Sequence, residues 1–529
     1  MVLSALMLSL SACASEGAPT AGPRIFEPPP RADARSAWLR VTPEGLRALP
    51  AIAAAVELDV PVPSAREGDL AICPDGGCSA ALRGGEVEAR LLPEPGLDVR
   101  AAVRARTSPI PVVYEQRWPC AGAAEPACEV VVDTEGAAPA SLSAHARLRL
   151  GVDRRTSLVT LGAGELQLAQ GVDGGDVSVA GANLCGRVWC SAARLANVGE
   201  RIATRIDDAL EAQARARLDA LTCRPCAAGC EPGSACVEGV CRRAPPNAEA
   251  PGACDPRPLG AAFEVGPDRS LGLTFALADE ARAHRGGLDV AVRLGARPRV
   301  DALCVPDAPA PPPTPLPAAI LERGSDAGAH VRVALGESAL ARAFWAAWRA
   351  GLGCAELGGE GSPVPLDLAR LLPSSQSLAF LGVDAPRLRV RPTRAPEVRV
   401  EEDGAVAWAV PGLGLELEAE VDGRRLVLAR ATLRLAGVAR LGVGEEGLWL
   451  GLEGTEAEVE RIAAAPLLAD DPETLAPTFD VLARLAVAAA PARVELGALP
   501  GPLRLVEPPR RVSHEDVRAL ALRLRVEAP

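Results

Sequence analysis

Val331 to Cys354 reads VRVALGESALARAFWAAWRAGLGC. The whole chain of 529 residues holds only 7 Trp, 6 Phe and 1 Tyr, yet Phe344, Trp345 and Trp348 fall within five residues here. With Leu340 and Leu352, Phe344 and Trp348 recur at i, i+4, i+8 and i+12, and Trp345 lies beside that stripe. This spacing predicts one face of an α-helix. Ser338 follows a short alternating run and reads as the N-cap; Gly351 and Gly353 read as stops. A helix with so large an aromatic face needs a deep apolar groove or an apolar ligand. Ordinary core packing is the commoner use of such a stripe, so the surrounding sequence must decide.

Composition narrows the choices. Hydrophobic residues make up 48% of the chain but aromatics only 3%. The core is therefore built from Leu, Val and Ala. There is no Lys, and Arg is interleaved with Asp and Glu to a net charge of -12. That pattern argues against nucleic acid, because phosphate neutralisation needs clustered basic residues.

The chain begins MVLSALMLSLSACASEG, an apolar run from Val2 to Leu10 followed by Leu10-Ser11-Ala12-Cys13. This resembles a bacterial lipoprotein signal peptide with its lipobox, although no Arg or Lys precedes the apolar run. The resemblance implies removal of residues 1–12 and lipid attachment, palmitate included, at Cys13. Ala14 in place of Asp then implies an outer-membrane lipoprotein facing the periplasm or the cell surface. Residues 13–39, rich in Pro, Gly and Ala, read as a flexible tether.

Cysteine usage fits export. Fifteen Cys less Cys13 leave fourteen, an even number. Cys73/Cys78, Cys120/Cys128 and Cys185/Cys190 read as local staples, and Cys304/Cys354 as a bridge flanking the aromatic helix. Cys223, Cys226, Cys230, Cys236, Cys241 and Cys254 form a compact group that reads as a disulfide knot. Its 15 connectivities stay open. A zinc site at Cys223 and Cys226 is disfavoured in an exported chain with no His nearby.

Three regions follow. Residues 40–222 carry short alternating runs, such as Leu142 to Leu150 and Val177/Val179, and end in a long helical stripe that includes Leu195, Val198, Ile202 and Ile206. Residues 223–257 are the disulfide-rich linker. Residues 258–529 repeat the pattern at greater length, with a Pro-rich loop from Pro306 to Pro317 read as extended and exposed. Leu413 to Val421 and Leu426 to Leu435 flank the hairpin signal Asp422-Gly423. Thr474 to Ala490 reads as a second helix and Leu520 to Val526 as a last strand. The expected fold class is α+β: two elongated modules, each a long curved antiparallel sheet wrapped around one or two long amphipathic helices.

The run VALGESALARAFWAAWRAGLGC, then PVPLDLARLLPS, and the meander RLRV, PEVRV and LGLELEAEVDGRRLVLARATLRL resemble the tubular lipid-binding superfamily of bactericidal permeability-increasing, lipopolysaccharide-binding and cholesteryl ester transfer proteins. The similarity is to its bacterial lipoprotein version and covers residues 258–529. It implies a lipid partner, phospholipid or another long-chain ligand, held in an apolar tube. Leu340, Phe344, Trp345, Trp348 and Leu352 would line that tube in the second half, and Leu195, Val198, Ile202 and Ile206 in the first. The chain is acidic and lacks Lys, unlike the antibacterial members that bind anionic lipid A.

Catalytic motifs do not emerge. His145, His284, His330 and His514 have no metal-ligand spacing, and G-x-S-x-G, P-loop and dinucleotide fingerprints are missing. Glu337 and Ser338 invite an active-site reading, but a helix cap explains them better. The sequence therefore points to a lipid-binding protein that is not an enzyme and needs no cofactor or metal. The rival is a structural or adhesive envelope lipoprotein. A continuous apolar tunnel favours the first, a filled core the second.

Overall fold

The computed structural model describes residues 35–526, apart from short interruptions and the longer stretches 115–126, 135–141, most of 182–221, 244–253 and most of 359–382. It overturns the expected fold class. The chain is mainly β, with three α-helices described in full: α1 (Pro43–Ala54), α2 (Glu337–Arg349) and α3 (Pro472–Ala488). Length gives the reason. The 13 residues of α2 and 17 of α3 span only ~20 and ~26 Å at 1.5 Å per residue. The 21 residues of the Arg424–Gly444 strand span ~70 Å. Helices this short cannot be wrapped along their length by such strands; each covers a local patch.

Every strand pair among the described residues is antiparallel. An eight-stranded sheet runs Gly260–Val265, Leu271–His284, Gly287–Pro298, Ala37–Val41, Val331–Gly336, Val517–Val526 and Leu503–Leu505, with Arg510–His514 also on Val517–Val526. A seven-stranded sheet runs Ala355–Gly358, Val383–Pro392, Val406–Val421, Arg424–Gly444, Gly447–Ala464 and Arg493–Gly497, with Glu397–Val400 also on Val406–Val421. The first half contributes two five-stranded sheets. Alternation of Leu with small or charged residues sets the register: Leu415 and Leu417 are fully buried while Glu416 and Glu418 face Arg430 and Arg389. Val421 pairs with Arg424 across a two-residue turn in which Gly423 takes φ 72°, as a tight hairpin needs.

The halves are not separate modules. Ala37–Val41 inserts between Gly287–Pro298 and Val331–Gly336. Val87, Leu97, Val99, Leu148 and Val159 of the first half share one core with Leu277, Leu288, Val290 and Val292 of the second. A second core buries Leu475, Phe479 and Leu482 of α3 on Leu388, Leu415, Leu417, Leu428 and Leu433. Hydrophobic burial of this kind, ~25 cal/mol per Å², is what holds sheet and helix together.

The disulfides redraw part of the expected framework. Cys73 bonds Cys78, and Cys304 bonds Cys354. Cys128 bonds Cys190, 62 residues away, so the local pairs Cys120/Cys128 and Cys185/Cys190 are corrected; Cys120 and Cys185 lie outside the described residues. Cys128 is buried on the strand Ala127–Val132, which pairs with Ile110–Tyr114 and Val177–Gly181, and Cys190 is buried against it. In the knot, Cys223 bonds Cys254, Cys226 bonds Cys236 and Cys230 bonds Cys241.

Candidate functional site

Helix α2 is the pivot of the second half. Its residues are all buried or half-buried, none exposed. It packs on Gly287–Pro298, Leu271–His284, Val331–Gly336 and Val517–Val526 of one sheet and on Glu397–Val400 of the other. Leu340 and Phe344 enter a core of Val400, Val406, Trp408, Ala439, Leu520 and Leu522, drawn from both sheets. Trp345 and its neighbours Ala343 and Ala347 turn the other way, against Leu271, Leu273 and Ala296. The aromatic face thus sits in a seam between two sheets. A Cβ at Gly437 would lie 2.9 Å from the Trp408 ring, so glycine there lets Trp408 lie flat on its sheet.

The helix start differs from the sequence reading. Gly336, not Ser338, is the N-cap and offers no side-chain acceptor. The Ser338 hydroxyl instead donates to the Thr314 carbonyl at 3.3 Å and accepts the Thr314 N–H at 3.1 Å. Glu337, in the first turn where an acid complements the helix dipole, accepts the Val400 N–H at 2.8 Å and lies 3.6 Å from Arg518. Both residues are engaged in contacts that hold the helix start.

The Pro-rich segment is extended, as prolines and the residues before them demand, but it is not a free loop. It straps the third side of α2. Arg342 donates to the Pro311 carbonyl at 3.4 Å and Arg349 to the Pro306 carbonyl at 2.9 Å. Leu316 is fully buried; its carbonyl accepts the Trp38 indole N–H at 2.7 Å. The Cys304–Cys354 disulfide closes the other end.

Of the five residues predicted along this stripe, Leu340 and Phe344 are half-buried in the seam, Trp345 is half-buried against the eight-stranded sheet alone, and Trp348 is buried at 4%. Leu352 lies beyond the helix end and is 46% exposed; it does not continue the stripe because the helix stops at Arg349. Leu195, Val198, Ile202 and Ile206 lie outside the described residues, as does Cys13. The described positions between Thr204 and Ala220 are helical, and Thr204, Asp208 and Arg215 are exposed.

Three buried indole donors lack acceptors: the Nε1–H groups of Trp345 and Trp348 on α2 and of Trp408 in the seam. Tryptophan can only donate, and a buried donor without a partner costs about 1–3 kcal/mol. Sequence reasoning singled out Trp345 and Trp348 but missed Trp408, which sits in a strand with no helical stripe to mark it.

Other clusters do different work. Arg40 is buried and grips Asp289 through Nε at 2.6 Å and Nη2 at 2.8 Å, with Glu322 at 2.5 Å and His284 Nε2 3.0 Å from Asp289. The guanidinium fills the space among His284, Asp289 and Glu322, so this trio does not fit a cation. The cysteine groups of the knot are disulfides and offer no thiolate. An open cleft of about 560 Å³ is lined by Arg399, Arg511 and Arg518 with Glu401, Glu515 and Asp516, a balanced set of charges with no net preference for either sign.

No protein family matches the sequence, and no curated protein matches it. Among solved structures, the chain is similar to lipopolysaccharide binding protein at TM-score 0.36 and 14% identity, over 93% of this chain and 99% of that one. It is similar to P47 from Clostridium botulinum A2 at TM-score 0.25 and 8% identity, over 88% and 89%. For P47 of Clostridium botulinum E1 the values are 0.24 and 6%, over 93% and 99%. These are distant likenesses.

Proposed function

We propose that this protein is an exported lipoprotein, anchored through Cys13 to the outer membrane, that binds an acyl-chain lipid along α2 in the seam between its two C-terminal sheets. The observation that carries the reading is the set of orphaned indole donors on and against α2: Trp345 and Trp408 amid apolar side chains, and the buried Trp348. An amphiphile with ester or amide oxygens on a hydrocarbon chain supplies both what these donors lack and what the half-buried faces of Leu340, Phe344 and Trp345 can still cover. Each CH₂ buried contributes ~0.8 kcal/mol. The action is passive binding, without covalent chemistry or cofactor.

A second reading has its own support. Leu475, Phe479 and Leu482 of α3 are fully buried against their sheet, as in a purely structural envelope lipoprotein. Native mass spectrometry with lipid extraction separates the two. Co-purifying long-chain lipid, diminished in a folded Phe344→Ala/Trp345→Ala variant, is the expected result. A lipid-free mass that persists after incubation with liposomes would leave the structural reading.

A further inference from the structure

Three loops meet at the C-terminal end of α2. The Cys304–Cys354 disulfide joins the segment after Gly287–Pro298 to the segment after α2. Gly351 is so close to that segment that a Cβ on it would lie 2.8 Å from Ala302. Gly353 abuts Pro392, at the end of the Val383–Pro392 strand, within 3.1 Å by the same measure. This end carries the two most exposed large apolar residues among those described, Leu303 at 106% and Val300 at 77%, together with Leu352 at 46%. Single exposed leucines are ordinary. Three on one disulfide-stapled end, two of them almost wholly in solvent, are not accounted for by packing.

The charges around them are biased. Arg297 and Arg394 are exposed and have no ion-pair partner among the described residues, and Arg299 is exposed beside Val300. The nearby acids Asp301 and Asp307 are both turned onto Arg349, at 2.8 and 3.4 Å. Arg297, Arg394 and Arg349 outnumber these two carboxylates, so the described residues of this end carry a small basic excess, although the chain as a whole carries -12. An acidic body with one basic, apolar end is oriented by a negatively charged surface, because the body is repelled and the end attracted.

We propose that this end, with Val300, Leu303 and Leu352 as the inserting residues and Arg297, Arg299 and Arg394 around them, docks on an anionic lipid bilayer. Apolar side chains entering the acyl boundary beside Arg at the headgroups is the physics of interfacial anchoring. The docked end lies at the C-terminus of α2, beside the Cys304–Cys354 disulfide. The inference deepens the lipid-binding reading and rests on it, and its test keeps the two apart.

The test is co-sedimentation of the chain from Ala14 onward, which retains every described residue, with vesicles of phosphatidylethanolamine and phosphatidylglycerol and with purely zwitterionic phosphatidylcholine vesicles. The wild-type chain should sediment with the anionic vesicles, less so as salt rises. Val300→Asp/Leu303→Asp should weaken binding at least about tenfold while the lipid seen by native mass spectrometry stays. Both positions are exposed, so the fold should hold; Arg297→Glu/Arg394→Glu provides an independent loss of binding. Unchanged sedimentation in either variant, or equal binding to zwitterionic vesicles, overturns the docking proposal even if co-purified lipid persists. Loss of co-purified lipid with docking intact would instead strike the binding reading.

Discussion

His330 ties three parts of the chain together. Its carbonyl accepts the Thr42 N–H at 3.1 Å, just before α1, and its Nδ1 accepts the Val526 N–H at 3.1 Å. Burial first, then the positive charge of Arg525, holds its imidazole below the ordinary histidine value, with Glu44 opposing. The unfolded chain therefore takes up the proton at a higher pH than the native one. This contribution to stability is complete above about pH 6.5 and is lost as the pH falls below it. The melting temperature of the wild type should drop more steeply than that of His330→Gln between about pH 7.5 and 5.5; parallel slopes would remove His330 from the acid response. Arg40 makes the opposite kind of statement. Its guanidinium is held more firmly protonated than usual, by Asp289 above all, against the effect of burial. Asp289→Ala strands that charge and should cost about 3–5 kcal/mol in urea unfolding. A loss under ~1 kcal/mol would mean that Glu322 and water replace Asp289. Neither role was legible in the sequence, since the partners of Arg40 lie about 250 and 280 residues away.

At the scale of elements, periodicity was informative about faces and poor on lengths and ends. The stripe Leu475, Phe479 and Leu482 marks the buried side of α3, within two residues of the expected limits. Phe479→Ala should cost about 3–5 kcal/mol, whereas Val481→Ala, at a position 52% exposed, should stay within about 0.5 kcal/mol. Similar losses at both would put the helix on the wrong face. For α2 the stripe gave the aromatic face but misjudged both ends. Leu352 satisfies the spacing yet follows the last turn, and Ser338 is chemically a cap yet turns to Thr314. A cap is decided by the backbone angle at which the preceding strand enters, and Gly336 is fixed by its own bond, N–H to the Ser36 carbonyl at 2.9 Å.

For the whole molecule, the knot looks like a hinge in the sequence, but the two halves share a core and a sheet. A protease site placed between residues 258 and 259, outside every described disulfide, should therefore leave the fragments co-eluting without denaturant. Separation on size exclusion would show that the shared core does not hold them. By itself the sequence determined which residues alternate, which recur at helical spacing, where the tight Asp422-Gly423 turn falls and that the cysteines belong to an oxidised framework. Each follows from chemistry within a few neighbouring residues. Only the tertiary structure decided that strands outgrow helices, that Ala37–Val41 completes a sheet of the other half, that Cys128 meets Cys190 and that Trp408 faces the aromatic helix. These depend on which apolar faces meet across hundreds of residues, and a local pattern fixes that a face must be covered but not by what.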